Sequence, residues 1–367
     1  MIEPFAVEHD TVQLWWPRMA NGPHEVAVGE LAVGVVATGG PGAALVRGLP
    51  PATTMPIRLD GVEVGRVTTR HEMPGRLLHR IATMSDVHIG EDGFGAVFER
   101  RERHPVEPYA VRCLRAALGA AAAGGAERVV IKGDLTQGAR AEEFEAGARI
   151  LAGAGVPVSV TWGNHDVQSG GVDGAPILAR HGIQAIVEPT AIDLSNGGAD
   201  GLRLIIADST IPGLHHGTLT GRRDALLQLA EMAADEGRPC MLLQHHQFYR
   251  TAPRFWPPGI FVGEAAPFLR ALERANPRTF ISSGHTHRNR SHRWGSMVMT
   301  EVGSTKDYPG SWASYAIHEG GIRQTVWRVT GHDTDGWLHG TRRALGGVWG
   351  RWSPGSLSQR CVDAIWA

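Results

Sequence analysis

The chain is poor in cysteine, and its apolar runs are short. Three cysteines, Cys113, Cys240 and Cys361, occur in 367 residues without C-x-x-C spacing, so neither a disulfide framework nor a thiolate zinc site is expected. No segment has the length of a membrane span, and the opening residues MIEPFAVEHD lack a basic stretch followed by an apolar one. We therefore expect a cytoplasmic protein with reduced thiols and no membrane partner.

The chain also lacks an excess of charge of either sign. Its formal net charge is -1 at pH 7, and its pI is near 7.0. Basic clusters interleaved with aromatic residues are missing, so a nucleic-acid partner is not expected. With 42% hydrophobic and 20% charged residues, the composition is that of a folded globular protein. The length fits two domains better than one core.

The sequence pattern changes near residue 77. Residues 1–76 hold short alternating runs such as EVAVGELAVGVVATG, broken by Gly and Pro, which predict a small all-β domain. Residues 77–330 alternate between strand and helix patterns, which predicts an α/β layered domain. Within it, the runs SMVMTEVGS, WASYAIHEG and IRQTVWRVT after His287 predict antiparallel strands.

Residues 331–367 form a segment rich in tryptophan. We interpret its indoles as packing on the body of the protein, with an oligomer contact or a substrate rim as the alternative. The four tryptophans are Trp337, Trp349, Trp352 and Trp366.

Metal-capable side chains follow five predicted strands, directly after each strand ends. Because ligands of open α/β sheets gather beyond the carboxyl ends of the strands, we expect these side chains to share one site. The segments ATMSDVH, VVIKGD, VSVTWGNHD, MLLQHH and FISSGHTH contribute, in order, Asp86 and His88; Asp134; Asn164, His165 and Asp166; His245 and His246; His285 and His287. Taken singly, each segment reads as an ordinary strand cap or polar turn. All five in order, each at a strand end, argue against that reading.

The spacing and the mixture of donors point to metal binding. Asp86 and His88 are two apart, so in an extended segment both side chains lie on one face and can hold one cation. His285 and His287 can do the same, or can be divided between two cations. Mixed oxygen and nitrogen donors suit Mn, Fe, Zn or Co better than Ca or Mg alone. Two metals about 3.5–4 Å apart need a shared anionic oxygen, for which Asp134 is the natural bridge.

In this order the motifs resemble those of the calcineurin-like metallophosphoesterases: D-x-H, G-D, G-N-H-[DE], a later H, and G-H-x-H. All five are intact over residues 86–287. The resemblance implies a four-layer α/β fold, a β-sandwich flanked by helices, and two divalent metal ions (Mn, Fe, Zn or Co). It also implies the ligands: Asp86, His88 and His287 for one metal, Asn164, His245 and His285 for the other, and Asp134 between them.

The resemblance implies roles for three more side chains. His165 matches the histidine beside the phosphate, which can stabilise charge or protonate the leaving group, and Asp166 would orient it. His246, the second residue of its pair, would lie behind the ligand His245 and is a candidate substrate contact.

The sequence features that distinguish subfamilies favour two different ones. The run LIIADSTIPGLHHGTL resembles bacterial cyclic-nucleotide-type phosphodiesterases, and it holds His215 and His216 as candidate substrate contacts. No tyrosine follows Asp134 as in purple acid phosphatases, and the usual proline after the paired histidines is missing from HHQFYR. The stretch VRGLPPATTMPIRLDGVEVG resembles fibronectin type III domains, which precede the catalytic domain in purple acid phosphatases.

These features predict a binuclear phosphoesterase in which a metal-bridged hydroxide attacks a small phosphate ester, with a diester such as a cyclic nucleotide preferred. The alternatives are a phosphomonoesterase of purple-acid-phosphatase-like layout, a non-catalytic metal-binding scaffold, and a nuclease acting on DNA ends. An oligomer is compatible with the sequence. The loop FYRTAPRFWPPGIF either covers the site, with Tyr249, Arg254 and Trp256 as candidate contacts, or is simply packed.

Overall fold

The structure is a computed structural model, and it describes residues 2–96, 99–102, 107–195, 201–249 and 257–366. None of the helices within these ranges combines the length and the apolar character that a membrane span requires.

The first seven strands form two small antiparallel sheets, in the orders β1-β2-β5 and β4-β3-β6-β7. Their apolar faces enclose one core that includes Leu14, Trp16, Val26 and Ile57. This confirms the predicted all-β region at the amino-terminal end. The strands are β1 (Glu3–Val7), β2 (Thr11–Trp16), β3 (Asn21–Val28), β4 (Leu31–Thr38), β5 (Gly42–Arg47), β6 (Thr54–Leu59) and β7 (Val62–Thr68).

The remaining strands begin at residue 77. They are β8 (Leu77–Met84), β9 (Gly93–Phe94), β10 (Arg100–Arg101), β11 (Arg128–Lys132), β12 (Val158–Thr161), β13 (Gln184–Ile186), β14 (Thr190–Ser195), β15 (Gly201–Ile206), β16 (Cys240–Leu243), β17 (Thr279–Ser283), β18 (Arg290–Trp294), β19 (Met297–Glu301), β20 (Ser311–His318), β21 (Gly321–Arg328) and β22 (Cys361–Ile365). Apart from the β9-β10 pair, they build one seven-stranded sheet, β13-β12-β11-β8-β20-β21-β22, and one six-stranded sheet, β14-β15-β16-β17-β19-β18.

Helices cover the outer faces of the two larger sheets. Apolar side chains such as Ile81, Leu204 and Phe280 fill the space between the sheets. The helices are α1 (Tyr109–Ala123), α2 (Ala141–Ala152), α3 (Ala175–Arg180), α4 (Arg223–Asp235), α5 (Val262–Ala275), α6 (His332–Thr341), α7 (Trp349–Trp352) and α8 (Leu357–Arg360), with a 3-10 turn at Leu345–Gly347. Helices α1, α2 and α3 pack on the seven-stranded sheet, and α4 and α5 pack on the six-stranded sheet. The expected four-layer arrangement is therefore confirmed.

Two features differ from the sequence-based expectations. Strand β19 pairs in parallel with β17 and antiparallel only with β18, so the strands that follow His287 are not all antiparallel. The segment 331–367 also does more than pack on the body, because its strand β22 forms the edge of the seven-stranded sheet beside β21.

The two small sheets are attached to the body through buried contacts. Phe5 and Ala6 belong to the core between the large sheets. The Gln13 side chain donates to the carbonyl of Arg328 (3.1 Å) and accepts from its amide (2.8 Å). Division of the chain into domains at residues 76 and 330 stays a prediction. The amino-terminal sheets and the body nevertheless share one apolar core, because Phe5 and Ala6 lie in it.

Candidate metal centre

Each of the five sequence segments leaves a strand at its carboxyl end. Strands β8, β11 and β12 run parallel in one sheet, and β16 and β17 run parallel in the other. The side chains that follow them meet at one edge of the sandwich, as the strand-end pattern predicts.

The backbone at this edge is unusual. Within the part of the chain that the structure describes, nine non-glycine residues have positive φ, and five of them are expected ligands: Asp86, His88, Asp134, His285 and His287, with φ between 53° and 66°. Left-handed backbone of this kind is unfavourable by about 1–2 kcal/mol for an ordinary side chain. Such strain concentrates at functional sites, where the surrounding structure enforces it.

Four side chains converge on the first candidate metal position. The Nε2 atom of His287 lies 3.3 Å from Oδ1 of Asp86 and 3.3 Å from Nε2 of His88. The Nε2 atom of His88 lies 3.5 Å from Oδ2 of Asp134. Oδ1 of Asp86 is buried and has no hydrogen-bond partner among the described residues. Separations of this size suit donors bound to a common ion at about 2.0–2.2 Å.

A second group of donors meets beside the first. Nε2 of His245 lies 3.3 Å from Oδ2 of Asp134, 3.3 Å from Oδ1 of Asn164 and 3.1 Å from Nδ1 of His285. The same oxygen, Oδ2 of Asp134, therefore faces both groups. This is the arrangement that a carboxylate bridging two cations requires.

The second ring nitrogen of each candidate histidine ligand faces a hydrogen-bond acceptor. An acceptor at this position fixes the tautomer and leaves the other nitrogen free to bind a cation. The pairs are His88 Nδ1 with Gln137 Oε1 (2.8 Å), His245 Nδ1 with the Lys132 carbonyl (2.8 Å), His285 Nε2 with the Pro258 carbonyl (3.1 Å) and His287 Nδ1 with Asp307 Oδ2 (2.6 Å).

Burial and the neighbouring charges act in opposite directions on two of these histidines. Burial lowers the pKa of His287, but the charges of Asp307 and Asp86 outweigh it and raise the pKa to about 10. Burial also lowers the pKa of His245, whereas Asp134 and Asp86 raise it to about 9. Because a histidine that binds a metal must be a neutral imidazole, metal binding by these two side chains would require both to lose a proton.

At two positions in the motifs, neighbouring chain segments come so close together that only glycine fits. A Cβ atom on Gly163 would lie 2.1 Å from Oδ1 of Asp134, and one on Gly284 would lie 1.8 Å from Oγ of Ser85. The glycines of G-N-H-D and G-H-T-H therefore allow the strand ends to come together.

His165 lies beside the first group, half-buried, with its ring centroid 4.6 Å from that of His88. Its Nδ1 atom lies 2.8 Å from the Gln137 carbonyl. The expected role of Asp166 in orienting this ring stays a prediction, and none of the described hydrogen bonds of its carboxylate is to the ring. Its carboxylate accepts from the amides of Gly163 (3.0 Å) and Thr136 (2.8 Å), and it thus ties its own turn to the segment that follows Asp134.

The other candidate substrate residues lie around the second group. Nδ1 of exposed His215 is 3.3 Å from Nδ2 of Asn164, while His216 packs on the Phe261 ring at 5.1 Å. His246 is fully buried, with Nδ1 2.9 Å from Oγ of Ser209. Its Nε2 atom has no hydrogen-bond partner in the described ranges. The His246 side chain also forms a possible donor group with His245 and His285.

The loop expected to cover the site is described only in part. The hydroxyl of Tyr249 donates to the carbonyl of Pro257 (2.8 Å) and thus holds its own loop. The candidate contacts Arg254 and Trp256 lie outside the described residues.

Two residues of the centre were missed by sequence reasoning. Gln137 follows the G-D motif in GDLTQ, three residues after Asp134, and its side chain had no pattern of its own. Asp307 follows β19 in the run GSTKD, so the rule that polar residues after a strand reach this edge could have found it.

Residues 79–289, more than half of the chain, match the family model described as calcineurin-like phosphoesterase. A search of curated proteins found no match.

Among solved structures, a dimetal phosphatase from Danio rerio is 12% identical with a TM-score of 0.51, covering 70% of this chain and 99% of that one. Purple acid phosphatase PPD1 from yellow lupin (Lupinus luteus) seeds is 12% identical with a TM-score of 0.47, covering 91% and 72%. At 12% identity, the similarity to the dimetal phosphatase is a similarity of fold.

Proposed function

The chain belongs to the calcineurin-like phosphoesterase family, and from that premise we propose that it hydrolyses small phosphodiesters at a centre of two divalent metal ions. Hydrolysis of phosphate esters is the activity of the family. The observation that carries the proposal is the pair of donor groups that share Oδ2 of Asp134.

The residues present fit two divalent cations. Imidazole and carboxylate donors meet in both groups, and the second group adds the amide oxygen of Asn164. Oδ1 of Asp86 is buried and has no hydrogen-bond partner among the described residues. Asp86, His88 and His287 would hold one ion, Asn164, His245 and His285 the other, with Asp134 between them. When bound, such ions polarise phosphate oxygens and lower the pKa of a coordinated water.

Beside the metals, the chain itself supplies groups for orientation and proton transfer. Nδ1 of His165 donates to the Gln137 carbonyl, so a His165 ring that carries a second proton would present it to the leaving oxygen from the opposite nitrogen. In a phosphodiester that oxygen departs as an alkoxide, so a positioned proton donor assists the reaction. Asp166 supports this role through the turn.

A preference for diesters is supported by the loop at 208–220. This loop carries the run that resembles cyclic-nucleotide-type phosphodiesterases, and it packs against the centre through two contacts: Ser209 with His246, and His215 with Asn164. Imidazoles at this rim provide hydrogen bonds without a fixed double positive charge. That suits the single negative charge of a diester better than the double charge of a monoester.

We also propose a cytoplasmic location. All three cysteines are free and buried, as expected for a protein that meets no oxidising compartment. Fractionation of the native cell would test this.

The proposed activity is tested by hydrolysis of bis(p-nitrophenyl) phosphate and p-nitrophenyl phosphate after loading with Mn²⁺. We expect a higher kcat/KM for the diester and a loss of at least about 100-fold in Asn164→Ala, because one metal donor is removed. The matched control is Asn21→Ala, an exposed asparagine on β3, which should retain activity. Preference for the monoester would support the phosphatase alternative, and inactivity with both metals bound would support the scaffold.

A further inference from the structure

A buried carboxylate links the first metal position to the carboxy-terminal segment. Oδ2 of Asp307 lies 2.6 Å from Nδ1 of His287, and Oδ1 accepts from Nε1 of Trp349 at 3.0 Å. The Asp307 side chain is fully buried. Its two oxygens therefore connect a candidate metal ligand to a tryptophan 62 residues from that ligand in sequence.

Aromatic rings enclose the same imidazole. The Phe94 ring is stacked on His287 with centroids 6.2 Å apart, and the Trp349 ring lies 5.6 Å from Phe94 and 6.3 Å from His287. Water is thereby kept from much of the hydrogen bond between His287 and Asp307. A charged acceptor in such surroundings makes a strong and directional bond.

Further contacts hold the segment on either side of Asp307. The Lys306 carbonyl accepts from Nε1 of Trp337 (2.6 Å), and the Tyr308 amide donates to Oγ1 of Thr341 (2.9 Å). The partner residues, Trp337 and Thr341, belong to helix α6. The carboxy-terminal segment thus makes one hydrogen bond to each of three consecutive residues: Trp337 to Lys306, Trp349 to Asp307 and Thr341 to Tyr308.

We propose that Asp307 is a positioning residue for the first metal ion and that Trp349 holds Asp307 in place for this purpose. Asp307 accepts a hydrogen bond from the Nδ1–H group of His287. This bond keeps the Nε2 lone pair of His287 directed at the position shared with Asp86 and His88. The inference rests on the metal centre of the proposed function, but not on its preference for diesters. It gives the tryptophan-rich segment a supporting role at the metal centre.

The substitution Asp307→Asn tests the proposal with little change in shape. An amide has one acceptor oxygen, whereas His287 and Trp349 both present N–H donors, so one of the two bonds is lost. Mn²⁺ is titrated into metal-free protein, and free Mn²⁺ is followed by its EPR signal. We expect two equivalents in the wild type, with one site weakened by about 10–100-fold in Asp307→Asn and the other unchanged. At intermediate Mn²⁺ concentrations the variant should show the spectrum of an isolated ion rather than a coupled pair.

Two tryptophan variants complete the experiment. Trp349→Phe keeps an aromatic ring but loses the bond to Asp307, and it should weaken the same site by about 3–10-fold. Trp327→Phe is the matched control, because its indole donates to Oγ of Ser314 (2.8 Å) on β20, and both affinities should stay as in the wild type. If Asp307→Asn does not fold, as judged by thermal unfolding, Trp349→Phe carries the test.

The outcomes separate this inference from the proposed function. Unchanged affinities, or equal losses at both sites, in Asp307→Asn and Trp349→Phe would overturn the positioning role while leaving the binuclear centre intact. A wild-type protein that binds fewer than two equivalents would overturn the proposed function itself.

Discussion

At the scale of single residues, the candidate metal centre depends on glycines, where no side chain would fit, as much as on the residues that carry metal-binding atoms. Gly163 shows this, since its Cα lies so close to Asp134 that a methyl group would meet the carboxylate at 2.1 Å. The obstructing atom is Oδ1 of Asp134, which also accepts a hydrogen bond from the His165 amide (2.8 Å). Because this bond holds the carboxylate, it cannot simply rotate away.

We therefore expect Gly163→Ala to lower kcat/KM by about 100-fold, as displacements of about 1 Å do in catalytic sites. Mn²⁺ affinity should fall with it. The control is Gly119→Ala in α1, where an added Cβ meets nothing within 4 Å and should raise the free energy of unfolding by about 0.5–1 kcal/mol. Full activity in Gly163→Ala would show that the turn can move aside.

The grouping of Asp86, His88, Asp134, Asn164, His245, His285 and His287 could be predicted from sequence, because each follows a strand and parallel strands end at one edge. Their roles as ligands stay predictions. The acceptors behind the histidines could not be predicted, since two of them are the carbonyls of Lys132 and Pro258 and leave no trace in residue type.

At the scale of elements, helix α6 contains a half-buried carboxyl group that disfavours folding at neutral pH. Burial raises the pKa of Asp335 to about 6, and its Oδ1 atom has no hydrogen-bond partner within the ranges described. An unfolded aspartate ionises near 3.9. The folded protein therefore binds more protons between these values, and stability falls as the pH rises from about 4 to about 6.

We expect Asp335→Asn to raise the free energy of unfolding by about 1 kcal/mol at pH 7, since the amide carries no charge to desolvate. The gain should vanish near pH 3.5, where the wild-type carboxyl group is protonated in both states. Asp333→Asn, on the exposed side of the same helix, should give no pH-dependent gain. Thermal unfolding between pH 3.5 and 7 measures all three proteins, and a gain independent of pH would point to another cause.

Most helices and strands could be predicted as elements, but not how they pair. The run that forms β19 alternates in the same way whether it pairs in parallel or antiparallel, because the period of two gives no strand direction. Strand β22 was hidden for another reason. It is only five residues long and follows a short helix, so it has little periodicity to detect.

At the scale of the whole molecule, the small sheets and the body are expected to unfold together. Phe5 is 2% exposed in the core between the large sheets, and the guanidinium of Arg360 lies 4.3 Å from the centre of its ring. We propose that residues 1–76 form a domain whose stability is not independent of residues 77–330.

Phe5→Ala should accordingly lower the free energy of unfolding by about 3–5 kcal/mol. Phe261→Ala, at a position 40% exposed, should lower it by about 1 kcal/mol or less. Urea denaturation followed by fluorescence and circular dichroism should give one transition for the wild type. Two separate transitions would show that the two parts are thermodynamically independent.

The contact between Phe5 and Arg360 also has a consequence for synthesis. The Arg360 Nε atom donates to the Phe5 carbonyl at 2.8 Å, and the Val7 amide lies 3.4 Å from Sγ of Cys361. These partners are about 350 residues apart, which a ribosome adding about 5–20 residues per second spans in tens of seconds. During translation strand β1 therefore emerges long before its binding surface exists. A nascent chain interrupted before the large sheets are made would present Phe5 uncovered, as a surface for chaperones to bind.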